Sequence, residues 1–168
     1  MLKNTLPVAL VLVALLCLPA GCTQVDRKTP PNQAAAQTAG GVETIEEHWP
    51  NGQLRLRKQV LIDADGTPVE HGPYARWHDN GEQEYEATFV HGKKHGLATR
   101  WHKNGRKWLL EHYEQGQKHG LTRAWDENGV IRKEERYANG KPHGVWTIWD
   151  KRGRIRWQQR YLHGKPQE

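Results

Sequence analysis

Four of the ten histidines, His71, His95, His119 and His143, each stand directly before a glycine and recur every 24 residues. Imidazoles at a fixed interval invite a metal site. A 24-residue interval in an extended chain, however, places successive copies two strands apart, about 9.6 Å at the usual strand spacing, whereas metal–nitrogen bonds run near ~2 Å. One column therefore cannot surround one ion. His91 shares a loop with His95, and two ligands do not complete a coordination sphere. The adjacent acids Glu134 and Glu135 point to opposite faces of an extended segment and cannot share a reaction centre. No nucleophile elbow, phosphate-binding glycine loop or zinc-protease helix motif is present. The residue types argue for contact rather than turnover, with no catalytic residue, no metal and no cofactor.

The elements that position these residues are repeats. Gly72, Gly96, Gly120 and Gly144 are 24 apart, as are Trp77, Trp101, Trp125 and Trp149. Gly81, Gly105, Gly129 and Gly153 follow the same interval, as do Phe89, Tyr113, Tyr137 and Tyr161, and Gly92, Gly116, Gly140 and Gly164. A fixed period of this length marks stacked structural units. Glycines every few residues exclude helix and leave two strand-length segments per unit, such as "LATRWH" and "RKWLLEHY". Only 36% of the chain is hydrophobic and mean hydropathy is −0.92, so a thick core is excluded and eight Trp and five Tyr supply the buried area. The expected fold is all-β: an elongated, single-layer antiparallel meander of repeated hairpins. Four units fill residues 72–168, and Trp49, Asn51-Gly52, Val60 and Gly66 outline a degenerate cap over 44–71.

Parity along the strands assigns faces. A three-residue loop such as Asp79-Asn80-Gly81, a type I turn closed by a left-handed glycine, sets Trp77 opposite Gln83. Carried along both strands, that register puts Trp77, Trp101, Trp125 and Trp149 on one side with Phe89, Tyr113, Tyr137 and Tyr161. The same parity sends Trp108 and Trp146 to the charged side, where exposed indoles become binding candidates. Charge is uneven along the repeats: unit 72–95 holds three Lys/Arg against four Asp/Glu, and residues 144–168 hold six against two. Arg154, Arg156 and Arg160 alternate onto the charged side, as do Glu82, Glu84 and Glu86. A basic end suits an anionic lipid or glycan; nucleic acid is not expected, since no nucleic-acid module accompanies the charge.

The pattern G-x4-W-x3-G-x7-[FY]-x2-G-K-x-x-G over Gly72–Gly164 resembles the MORN repeat, in particular its bacterial variant of YwqK type. The resemblance implies an elongated β-meander that serves as scaffold or binding module, near protein or lipid partners, without shared catalytic residues. A toxin-neutralising role is a further reading within that family.

Residues 1–21 read as an export signal: Lys3 precedes an apolar run from Leu6 to Leu18, closed by "PAGC". The run is shorter than the ~20 residues of a spanning helix. Cys22 after Ala20-Gly21 resembles the lipobox of bacterial lipoproteins, which implies a lipidated, membrane-anchored N-terminus in the outer membrane or periplasm. Ordinary signal cleavage and secretion is the competing reading. Both cysteines, Cys17 and Cys22, lie here, so the repeats form no internal disulfide. Residues 22–43 have a tether's composition, with a coil span of roughly 25 Å. Together these readings give a non-enzymatic lipoprotein of the cell envelope that binds a protein partner, or alternatively a lipid or glycan.

Overall fold

The computed structural model describes residues 41–168. The signal segment, Cys22 and all but the last residues of the tether lie outside the described residues. One antiparallel sheet is formed, and five hairpins build it. They are β1 (Val42–His48) with β2 (Leu54–Ile62), β3 (Pro68–Trp77) with β4 (Gln83–Val90), β6 (Gly96–Trp101) with β7 (Lys107–Glu114), β9 (Gly120–Trp125) with β10 (Ile131–Ala138), and β12 (Gly144–Trp149) with β13 (Ile155–Leu162). Short strands β5 (Lys93–Lys94), β8 (Gln117–Lys118), β11 (Lys141–Pro142) and β14 (Lys165–Gln167) fold back on the ends of β4, β7, β10 and β13. Consecutive hairpins pair side by side, β4 with β6, β7 with β9 and β10 with β12, so the meander is open and all-β as its repeat dictates.

Two kinds of turn close the strands. The long hairpins use the expected three-residue loop: Gly81 N–H donates to His78 O (3.0 Å), and His78 N–H to Glu82 O (2.8 Å), with Gly81 at φ +86°. The same bonds recur at His102–Gly105, Asp126–Gly129 and Asp150–Gly153. At the other ends, His91-Gly92, Gln115-Gly116, Asn139-Gly140 and His163-Gly164 are all left-handed, with the first residue at φ +46° to +49°, which is the signature of a two-residue type I′ turn. Neighbouring repeats are stitched at both rims. Asn51, Asn80 and Asn104 each donate Nδ2–H to a carbonyl of the next loop, Asp79, Lys103 and Glu127, at 2.9 Å. Gly116 N–H donates back to Lys94 O and Gly140 N–H to Lys118 O, both at 2.8 Å.

Trp77 pairs with Gln83 as expected, yet the two aromatic columns do not share a face. Immediately after that pair the register shifts: Arg76 opposes Tyr85, leaving Glu84 as an extra residue, a β-bulge. Trp108, Arg132 and Arg156 take the same place in the later hairpins. Because side chains alternate with period two, one inserted residue moves the rest of the strand to the other side. Phe89, Tyr113, Tyr137 and Tyr161 therefore lie opposite Gly72, Gly96, Gly120 and Gly144, on a side we call the tyrosine face. Trp77, Trp101, Trp125 and Trp149 lie on the reverse side, paired with Gln83, Lys107, Ile131 and Ile155. The expectation of one face carrying both columns is overturned.

The core sits on the tyrosine face and is thin. Tyr85, Ala87, Phe89 and Ala98 are buried together, with Tyr74 and Tyr113 packed against them; Leu56 and Val60 close the cap hairpin. Leu97, placed by parity with Trp101, is 60% exposed while its neighbour Ala98 is 2% exposed, which fixes the inner side of β6.

Candidate functional site

A single row of cross-strand neighbours defines the middle of the tyrosine face: Leu56, Arg76, Tyr85, Arg100, Leu109, Ala124, Lys133, Ile148 and Trp157, each paired to the next. Its chemistry changes from one end to the other.

In the first half the row is cationic and aromatic. The bulge places Glu84 against Arg76, with an ion pair of 2.7 Å. In the next repeat the same two places hold Trp108 and Arg100: the Arg100 guanidinium lies 5.9 Å from the Trp108 ring and 5.1 Å from the Tyr85 ring. His102 stands 6.0 Å from Trp108, ring to ring. His78 and His102 are oriented by their own loops, each donating Nε2–H to a tryptophan carbonyl of the following repeat, Trp101 at 3.2 Å and Trp125 at 3.3 Å. Only a protonated nitrogen can serve a carbonyl, so this bond fixes the tautomer and leaves Nδ1 with a free lone pair in the neutral ring. Trp49 fills the equivalent place in the cap, donating Nε1–H to Trp77 O at 3.1 Å. Arg76, His78, Arg100, Trp101, His102 and Trp108 line a shallow cleft of about 720 Å³ together with Glu84, Lys103 and Glu127.

Deeper on the same face, lysines lie over phenols. Lys94 Nζ is 5.0 Å from the Tyr113 ring and Lys118 Nζ is 5.2 Å from the Tyr137 ring. Lys118 also holds the buried Glu111 carboxylate at 2.7 Å, and Tyr137 donates its hydroxyl to Glu135 at 3.1 Å. Burial, followed by the Glu111 charge, pushes the Tyr113 phenol up to about 12; burial and Glu135 raise Tyr137 as well.

In the last repeat the row becomes apolar and exposed. Trp146 packs between Tyr137 and Tyr161, with ring centroids 5.1 and 4.9 Å away, and donates Nε1–H to Arg136 O at 2.9 Å. Ile148 and its cross-strand partner Trp157 are 37% and 40% exposed.

The placement of the sequence-derived candidates follows. Trp108 and Trp146, expected on the charged side, both lie on the tyrosine face: Trp108 because it is the bulged residue, Trp146 because the bulge brings the tyrosine column to the side of β12 opposite Trp149. Arg154, Arg156 and Arg160 do not form one patch. Arg154 is held in the loop by Asp150 at 2.9 Å, Arg156 sits in the bulge, and Arg160 pairs with Val145 on the reverse face. Glu84 likewise leaves Glu86, whose partner is Ala75 on the reverse face. Glu134 and Glu135 do diverge, the former to Arg123 at 2.5 Å and the latter to Lys133 at 3.0 Å. The histidines meet in pairs, His71 with His91 at 4.9 Å and His143 with His163 at 5.4 Å between ring centroids. Among the described residues no three His, Cys, Asp or Glu are grouped to hold a metal. Sequence reasoning missed Arg100 and Arg76 entirely; the apolar neighbours Leu97 and Trp101 drew attention to the wrong parity.

This geometry, hairpins at constant length with a glycine-closed loop, has a counterpart among known families. Residues 118–140 match the MORN repeat variant. The matched segment runs from the end of one unit through its Trp125 loop to the type I′ turn of Asn139-Gly140. Proteins of that family carry repeat modules that bind proteins or membranes, and catalysis is not typical of them. No curated protein matches the chain.

Proposed function

We propose that the chain is a non-enzymatic binding scaffold of the cell envelope, anchored through a lipidated Cys22, whose tyrosine face engages a protein partner at its C-terminal end. One observation carries the reading: Trp146, Ile148 and Trp157 form a contiguous, partly exposed apolar patch on a single-layer sheet, where no second layer among the described residues covers it. Exposed tryptophan with neighbouring arginine is the composition of interface hot spots, and apolar patches of this kind on a folded surface mark contact sites. The 24-residue repeat supports a scaffold role because it extends such a face without building an enclosed pocket.

The test uses the full-length protein extracted from membranes. Intact mass should show a diacylated or triacylated chain beginning at Cys22, and Cys22→Ala should release it from the membrane fraction. One envelope protein should co-purify after cross-linking. Trp157→Ala should lose it while Arg160→Glu, on the reverse face, keeps it. Retention of the partner by Trp157→Ala, with both variants folded, refutes the assignment of this face. A toxin-neutralising role in the cytoplasm fails with the same mass measurement.

A further inference from the structure

The cleft between β3 and β7 is not part of that apolar patch, and its groups are of a different kind. We propose that it binds an acidic sugar, a pyranose ring carrying one carboxylate, with Trp108 as the stacking platform and Arg100 as the carboxylate ligand. The inference rests on the tyrosine face being the binding face but not on the protein partner.

Four observations converge. Trp108, the bulged residue of β7, is 46% exposed; an open indole is the surface on which the C–H face of a sugar ring packs. Arg100 is fixed between the Tyr85 and Trp108 rings, and among the described residues no carboxylate pairs with it, whereas Arg76 beside it is neutralised by Glu84 and Lys103 by Asp79 at 2.9 Å. A guanidinium near two aromatic rings with no carboxylate of its own is available to a bidentate carboxylate. Charge then admits one anion: with Arg76 paired to Glu84 and Lys103 to Asp79, Arg100 is the remaining cation of the cleft, and Glu127, which also lines it, disfavours a second negative charge. The volume of about 720 Å³ lies in the range of small-ligand sites and holds one or two rings.

The experiment is calorimetric titration of the full-length protein in detergent with the methyl glycoside of galacturonic acid, the methyl ester of the same sugar, and neutral methyl galactopyranoside. The acid should bind and the ester and neutral sugar should bind at least tenfold more weakly. Arg100→Gln should weaken the acid at least tenfold and remove its preference over the ester. Trp108→Ala should weaken all three, and Trp108→Phe should recover part of the loss. Circular dichroism of each variant should match the unaltered chain. Trp157→Ala should leave sugar binding unchanged, so loss of the protein partner and loss of the sugar are separate results. Equal binding of acid and ester, or acid binding unaffected by Arg100→Gln, overturns the proposal. So does binding only to vesicles containing anionic phospholipid, with no free sugar bound, since that outcome assigns the cleft to a lipid surface.

Discussion

Tyr113 shows how a thin sheet keeps polar groups dry. Its ring is covered by Lys94, its hydroxyl lies near the buried Glu111, and its ionisation is pushed up to about 12. A phenol whose ionisation is raised on folding favours the neutral form, so its contribution to stability is complete below the ordinary phenol range near ~10 and is lost as pH rises towards the folded value. Phenolate absorbance should therefore show two tyrosines, Tyr113 and Tyr137, titrating above the others, and Tyr113→Phe should remove one of these two late steps and reduce the alkaline fall in stability. If Tyr113→Phe leaves the alkaline titration unchanged, the burial described for this ring is wrong. Asp126 and Asp150 work in the opposite sense. Backbone N–H groups of Val130 and Arg154, with Arg132 and Arg154 side chains, hold these carboxyls below the usual range, so their stabilisation is present above it and lost in acid. Little of this was legible beforehand, since burial of Glu111 beside an aromatic column depends on which side of β7 faces inward.

At the scale of the hairpin, the turns were readable and the strands were not. Asn-Gly and Asp-x-x-Gly have local mechanisms, because a left-handed position resists any residue with a Cβ. Gly129 is at φ +83° with nothing within 4 Å of the site of a Cβ. Gly129→Ala should thus cost about 1 kcal/mol from backbone conformation alone. Gln115, at φ +49° in a type I′ turn, is strained in the other direction, and Gln115→Gly should gain about 0.5 kcal/mol. Urea titration of both variants checks the pair; a gain for Gly129→Ala would contradict the loop geometry. The bulge admits a sharper test. Trp108→Ala keeps the residue count, and deletion of Trp108 removes the bulge while leaving Leu109 opposite Arg100 and Tyr113 opposite Gly96, so both should keep Glu111 and Tyr113 on the tyrosine face. Insertion of one alanine after Leu110 moves Glu111 and Tyr113 to the reverse face and should destabilise far more than either; equal effects would mean that residue count along β7 does not set the register.

As a whole molecule the described sheet is a one-dimensional array in which each hairpin touches its neighbours. Stability is then close to a sum over hairpins and their junctions. Removing residues 141–168 should lower Tm while leaving strand content per residue in circular dichroism and a cooperative transition for the remainder. Complete unfolding on that truncation would show that the last hairpin holds the array together. The tyrosine face follows the same logic: each repeat offers the same few places, and varying the central row from Arg76 and Arg100 to Ile148 and Trp157 makes one end cationic and the other apolar without altering the scaffold.

By itself the sequence determined the repeat, the strand lengths and the loop types, because glycine positions and turn residues act within a few bonds of where they are written. It did not determine which aromatic rings face each other. That choice rests on one unpaired residue per repeat hairpin, and the residues that fill the place, Glu84, Trp108, Arg132 and Arg156, are acidic, aromatic and basic because the bulge asks for no one type. The register is decided only when two strands meet: Arg76 settles against Tyr85 and Ala98 beneath the phenols because small and long side chains fill that side better than Leu97 and Trp101 would. Packing across strands, a non-local property, thus placed the tyrosine column and the row from Arg76 to Trp157 on the face opposite the tryptophan column.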